Sequence, residues 1–214
     1  MCQERMQIIA KFLEKAFKNF VTKNNGKRPE QIVIFRDGVG GPTYEEFVLK
    51  NEGMVGSALQ QAIGNFDQNY NPKVLFVILN KKVQTRLFEK VNGEVCNPGP
   101  GTFVDTGIVE NDGANLFDFY MVANDNPKTA TALPVHYKIV TNTTGMTKKE
   151  VQELIYAQCY SYQGFGGPIK VPACVKYAEK LANYAHDTEA PMRASKDSVF
   201  KGPNPNLSSF LHYL

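Results

Sequence analysis

Two stretches carry residues placed for chemistry. In QIVIFRDGVG the apolar run Ile32-Val33-Ile34-Phe35 leads straight into Arg36-Asp37-Gly38. A short continuous apolar run closed by a turn residue reads as a buried strand of a parallel or mixed sheet. Ligands and reacting groups gather outside the carboxyl ends of such strands, and a carboxylate there can hold a hard cation. Asp before Gly is also ordinary turn chemistry, and the strand context leaves both readings open. The second stretch, NKKVQTRLF, sets Lys81, Lys82, Gln84 and Arg86 at the end of another apolar run, KVLFVILN. Clustered cations at a strand end can neutralise successive phosphates, the sequence-independent part of nucleic-acid affinity. Any one of these lysines alone reads as a solvated surface charge.

The bulk properties limit what such residues serve. A chain of 214 residues, 43% hydrophobic and 21% charged, has the profile of an ordinary globular protein. Its net charge of +3 is compatible with a nucleic-acid partner only if the cations cluster. Cys2, Cys96, Cys159 and Cys174 have neither CxxC pairing nor zinc-ligand spacing, so they read as reduced structural thiols of a cytoplasmic or nuclear protein. No apolar stretch approaches the ~18 residues of a membrane span. The charged opening, with Glu4, Arg5, Lys11, Glu14, Lys15 and Lys18, excludes a signal peptide.

These residues need elements to position them. Met6, Ile9, Ala10, Leu13, Ala16, Phe17 and Phe20 recur at helical spacing, and Gly26 with Pro29 ends that helix. Thr43 and Glu46 form a capping box, and a further helix spans Met54 to Phe66. KVLFVILN (Lys73 to Asn80) is a buried strand, NPGPGT a turn, and TFVDTGIV, FDFYMVA and HYKIVTN are three more strands. Thr147 and Glu150 cap a helix from about Lys148 to Tyr162, and after GFGGP a last helix runs from Pro172 to about His186. Interleaved strands and helices mean an α/β fold with a mixed sheet. One strand alone precedes KVLFVILN, so the sheet is expected to lack strands that belong upstream.

Together, QIVIFRDGVG, NKKVQTRLF, NPGPGTFVD, FDFYMV, PVHYKIV, QELIYAQCYSY, IKVPACVKYAEKLA and PNLSSFLHYL resemble, in order and spacing, the PIWI domain of the Argonaute family. The NPGPGT turn and the closing PNLSSFLHYL favour the Piwi branch. The resemblance implies an RNase H-like fold with a mixed sheet flanked by helices, covering residues 1–214 and incomplete at its N-terminus, with the family's other domains absent. It implies a guide RNA paired to a target RNA, proteins of a silencing complex, no membrane and, in active members, target cleavage by two Mg²⁺ ions. Two-metal hydrolysis needs clustered carboxylates, which gives Asp37 a role as a metal ligand.

The family's first Asp lies on a strand upstream of Met1. Its glutamate matches Glu4, about one residue further from Asp37 than usual; a first-turn glutamate favoured by the helix dipole is the alternative there. Its fourth ligand, usually His, falls at Glu179 in Tyr177-Ala178-Glu179. A longer carboxylate in that place predicts weak or absent cleavage, the alternative being an active endoribonuclease once the upstream Asp is supplied. His136 matches a different family histidine and reads as a satisfied core residue. His186 lies about 10 Å along the helix from Glu179, too far to share its metal. By the same resemblance Lys81, Lys82, Gln84, Arg86, Tyr162, Lys170, Lys176 and Tyr177 contact the guide backbone. The Leu214 carboxylate is expected near the pocket for the guide 5′-phosphate.

Overall fold

The structure, a computed structural model, describes residues 6–38, 54–109, 116–124, 130–194, 204–207, 210, 211 and 213. Glu4, Leu214 and the expected capping pair Thr43 and Glu46 lie outside these residues. In chain order the elements are α1 (Met6–Lys23), β1 (Gln31–Asp37), α2 (Met54–Phe66), β2 (Lys73–Asn80), β3 (Glu89–Val91), β4 (Glu94–Cys96), β5 (Thr102–Val104), β6 (Asp118–Val122), β7 (Val135–Asn142), α3 (Lys148–Cys159) and α4 (Ala173–Ala194). A short 3-10 turn at Pro205–Leu207 follows.

The chain forms two compact units. The first comprises Met1–Thr85, Phe103–Met121 and Leu133–Lys149; the second comprises Arg86–Thr102, Val122–Ala132 and Glu150–Leu214. The main sheet has the order β1-β2-β7-β6-β5, with β1 parallel to β2 and β7 antiparallel to both β2 and β6, the mixed sheet that the alternation of elements predicts. Along β2, Leu75, Val77 and Leu79 are fully buried, and so are Tyr137 of β7 and Phe119 of β6. On the other face, α1 and α2 pack through Ala10, Phe17, Ala58, Leu59 and Ala62 onto Ile32, Ile34 and Val74. Asn25 and Gly26 adopt positive φ (53° and 81°), and the Gly26 amide donates to Val21 O at 2.9 Å, which closes α1 at the end its Gly26-Pro29 signal predicts.

Four expectations are corrected. The apolar run of β1 is only half-buried, because β1 is an edge strand of the described sheet. The strand expected over TFVDTGIV stops at Val104; Gly107 at φ 78° and an Ile108-to-Thr106 backbone hydrogen bond turn the chain. The helix expected to reach Tyr162 ends at Cys159, and the last helix runs on from His186 to Ala194. The β3–β4 hairpin was not foreseen, although its Asn92-Gly93 turn (φ 52° and 89°) is the strongest short-range hairpin signal a sequence offers.

Candidate nucleic-acid interface

Within the first unit, Asp37 ends β1 opposite Leu79 of β2. The Gly38 amide continues the parallel pairing by donating to Leu79 O at 2.9 Å, so the two strand ends are fixed side by side. Lys81 follows directly, and its Nζ lies 2.6 Å from Asp37 Oδ2, with side-chain exposures of 26% and 36%. Asp37, Gly38, Asn80, Lys81 and Lys82 line a cavity of about 350 Å³. Two lysines against one carboxylate make this lining cationic, suited to an anionic oxygen. Lys82 and Gln84, in this unit, are exposed, and so is Arg86, the first residue of the second unit.

One strand further across the sheet, His136 stands opposite both Asn80 and Tyr120. Its Nε2 donates to Asp118 Oδ2 at 2.5 Å, and its ring stacks on Tyr120 with centroids 4.4 Å apart. The histidine is therefore engaged with a buried carboxylate, the satisfied role its sequence setting indicated.

The second unit carries the other predicted contacts on α4 and the loop before it. Ile169 N donates to Cys159 O at 2.9 Å, and Gln163 N donates to Tyr177 Oη at 3.1 Å, which tie the loop to α3 and α4. The Tyr162 and Tyr177 rings are 5.3 Å apart. A Cβ at Gly164 would lie 2.8 Å from the Tyr162 ring, so a residue without a side chain lets the backbone turn beneath it. Lys170, with Phe165, Pro168 and Ile169, borders a cavity of about 600 Å³. Lys176 Nζ is 3.6 Å from Glu179 Oε2, one helical turn away. Lys180, absent from the sequence-predicted contacts, places Nζ 5.9 Å from the centroid of the Tyr162 ring. Its signal was the four-residue spacing from Lys176 on one helix face. On α3, Tyr156 and Tyr160 share a hydroxyl hydrogen bond of 2.9 Å; that bond and burial push Tyr156 up to about 12, so it stays neutral at ordinary pH.

The structure thus brings Asp37 to Lys81 and Lys82 in one unit, and in the other pairs Tyr162 with Tyr177 and Lys176 with Glu179, with Lys170 at the neighbouring loop. Among the described residues, no group of three or more His, Cys, Asp or Glu side chains could hold a metal ion. Mg²⁺ demands near-octahedral oxygen ligation. Asp37 stands in the first unit and Glu179 in the second, each paired with a lysine.

The chain is similar to known proteins in sequence and in fold. The Piwi domain family matches residues 1–189. Piwi-like protein 1 of Danio rerio is 31% identical over 212 residues, 99% of this chain and 22% of its own length. Piwi-like protein 3 of Homo sapiens is 30% identical over 94% of this chain and 20% of its own. The chain therefore spans about a fifth of the length of these relatives. Among solved structures, the C-terminal lobe of a budding yeast Argonaute superposes with a TM-score of 0.80 at 25% identity, covering 97% of this chain and 44% of that one. Kluyveromyces polysporus Argonaute, solved with a guide RNA, gives 0.77 at 25% identity over 99% of this chain and 27% of its own.

Proposed function

The chain belongs to the Piwi domain family, and from that membership we propose that it holds a guide RNA paired to a target RNA in small-RNA-guided silencing, with weak or absent cleavage of the target. The observation that carries the reading is the cationic lining at the carboxyl ends of β1 and β2, where Lys81 and Lys82 flank Asp37. Phosphates are the anions such a lining fits, and binding of this kind reads backbone rather than sequence. Within the second unit, Arg86, Tyr162, Lys170, Lys176 and Tyr177 are the cationic and aromatic residues we assign to the guide backbone. Further proteins of a silencing complex, and a place of action in cytoplasm or nucleus, complete the proposal.

A second reading is Mg²⁺-dependent target cleavage with Asp37 and Glu179 as metal ligands and Glu4 as a further catalytic carboxylate. It draws on the position of Asp37 at a strand end of an RNase H-like sheet. Against it stand the ion pairs that occupy both carboxylates.

Fluorescence anisotropy with a labelled single-stranded RNA tests the first reading. Replacing Lys81, Lys82 and Arg86 with Ala should weaken binding alike for unrelated RNA sequences. The slope of log affinity against log salt should become shallower by about 0.7 for each phosphate that is no longer neutralised. An unchanged slope would remove these residues from the interface.

A further inference from the structure

We propose that the ammonium of Lys81 takes the place of a divalent cation at Asp37, which leaves the carboxyl ends of β1 and β2 as a metal-free seat for a phosphodiester group. The phosphate half of this inference rests on the RNA-binding reading; the lysine half does not.

The position of Lys81 is set by backbone. The register puts Leu79 opposite Asp37, the Gly38-to-Leu79 hydrogen bond locks the strand ends, and Lys81 comes two residues after Leu79. At 2.6 Å the ion pair is a charge-assisted hydrogen bond to the oxygen a metal would use. A dication arriving at Asp37 would have to displace that ammonium and would be repelled by it and by Lys82, which lines the same cavity. A phosphate meets the opposite situation. An ammonium has three donors and can join a carboxylate to a phosphate oxygen, the joining that a metal ion makes in a two-metal site. Asn80 adds an amide to the same lining.

The test uses Mn²⁺ with the 214-residue chain and no RNA, free Mn²⁺ being read by its paramagnetic resonance signal. The unsubstituted chain and Asp37→Asn should take up Mn²⁺ equally. Lys81→Met should raise uptake about tenfold by uncovering the carboxylate. The gain should vanish in the Lys81→Met/Asp37→Asn double variant, and Lys81→Arg, which keeps the cation, should behave as the unsubstituted chain. Uptake by the unsubstituted chain that falls on Asp37→Asn overturns the proposal. So does a folded Lys81→Met that gains nothing, and should that variant misfold, the comparison with Asp37→Asn still decides. In a second arm, RNA binding at matched ionic strength should be no weaker in EDTA than in Mg²⁺; a loss in EDTA overturns the metal-free seat. If the chain binds no RNA at all, the RNA reading and the phosphate seat both fall, and the Mn²⁺ titration alone judges the hold of Lys81 on Asp37.

Discussion

Two carboxylates of the first unit are paired in unlike surroundings. Asp37, about a third exposed, meets the flexible cation Lys81, whereas Asp118, with a side chain 5% exposed, meets the ring of His136. Asp118 Oδ1 is buried with no hydrogen-bond partner among the described residues, so this carboxylate depends on the histidine. Removing one partner of a buried pair strands the other, which costs more than losing both. We expect His136→Ala to destabilise the chain by about 3 kcal/mol in urea denaturation. Adding Asp118→Leu, similar in shape and apolar, should recover at least half of that loss, because the stranded charge goes with it. A double variant as unstable as the two single changes summed would show that the pair is not coupled. The sequence made Asp37 legible, since an apolar run closed by Asp-Gly marks a strand end. It could not show the contact with Lys81, because that depends on the register between two strands far apart in sequence. The same holds for Asp118 and His136, which meet diagonally across β6 and β7.

At the scale of elements, local pattern was enough wherever one face is buried. The bounds of α2 and β2 follow from their apolar periodicity; of the 3.6-residue stripe of α1, Ile9, Ala10, Leu13 and Phe17 join the core with α2, whereas Ala16 and Phe20 stay exposed. Phe17 is the centre of that packing. It is 4% exposed and meets Phe66 edge-on at 5.7 Å and Tyr70 at 6.0 Å. Such edge-to-face contacts add to the burial of the ring itself. Phe17→Ala should therefore cost about 3–5 kcal/mol, whereas Phe12→Ala, on the same helix but 68% exposed, should stay within about 0.5 kcal/mol. Equal losses from the two variants, measured by urea denaturation, would mean that α1 does not pack as described. Pattern failed where tertiary context decides. The run Ile32-Val33-Ile34-Phe35 has the composition of a buried strand, yet edge position leaves it half-covered, and position in a sheet is not written in any one strand. β5 is cut short by backbone turning at Gly107, a residue inside the stretch whose apolar and β-branched content reads as strand.

Across the whole molecule, the question is whether RNA affinity follows total charge or its placement. A net charge of +3 on 214 residues is modest, and the proposed interface rests instead on cations held at particular ends of elements. The first unit separates the two possibilities. Lys23, the last residue of α1, and Lys27 both precede β1, and Lys81 and Lys82 stand at its exit, next to Asp37. A strand rises about 3.3 Å per residue, so a strand of seven residues puts about 20 Å between its ends. That is roughly twice the screening length in physiological salt, so charges at the entry contribute little at the exit. Lys23→Glu and Lys27→Glu together remove two charges at each position and take the chain from +3 to −1. We expect this pair to change RNA affinity by less than about threefold at physiological salt. Lys81→Ala with Lys82→Ala removes half as much charge, yet should weaken binding by about tenfold or more and flatten the salt slope by about 1.4, the equivalent of two phosphates on a single strand. Anisotropy titrations of both variants against one RNA over a range of salt concentrations give the answer. If the charge-reversed pair proves the weaker binder, affinity tracks net charge, and the strand-end cations lose their claim to the backbone.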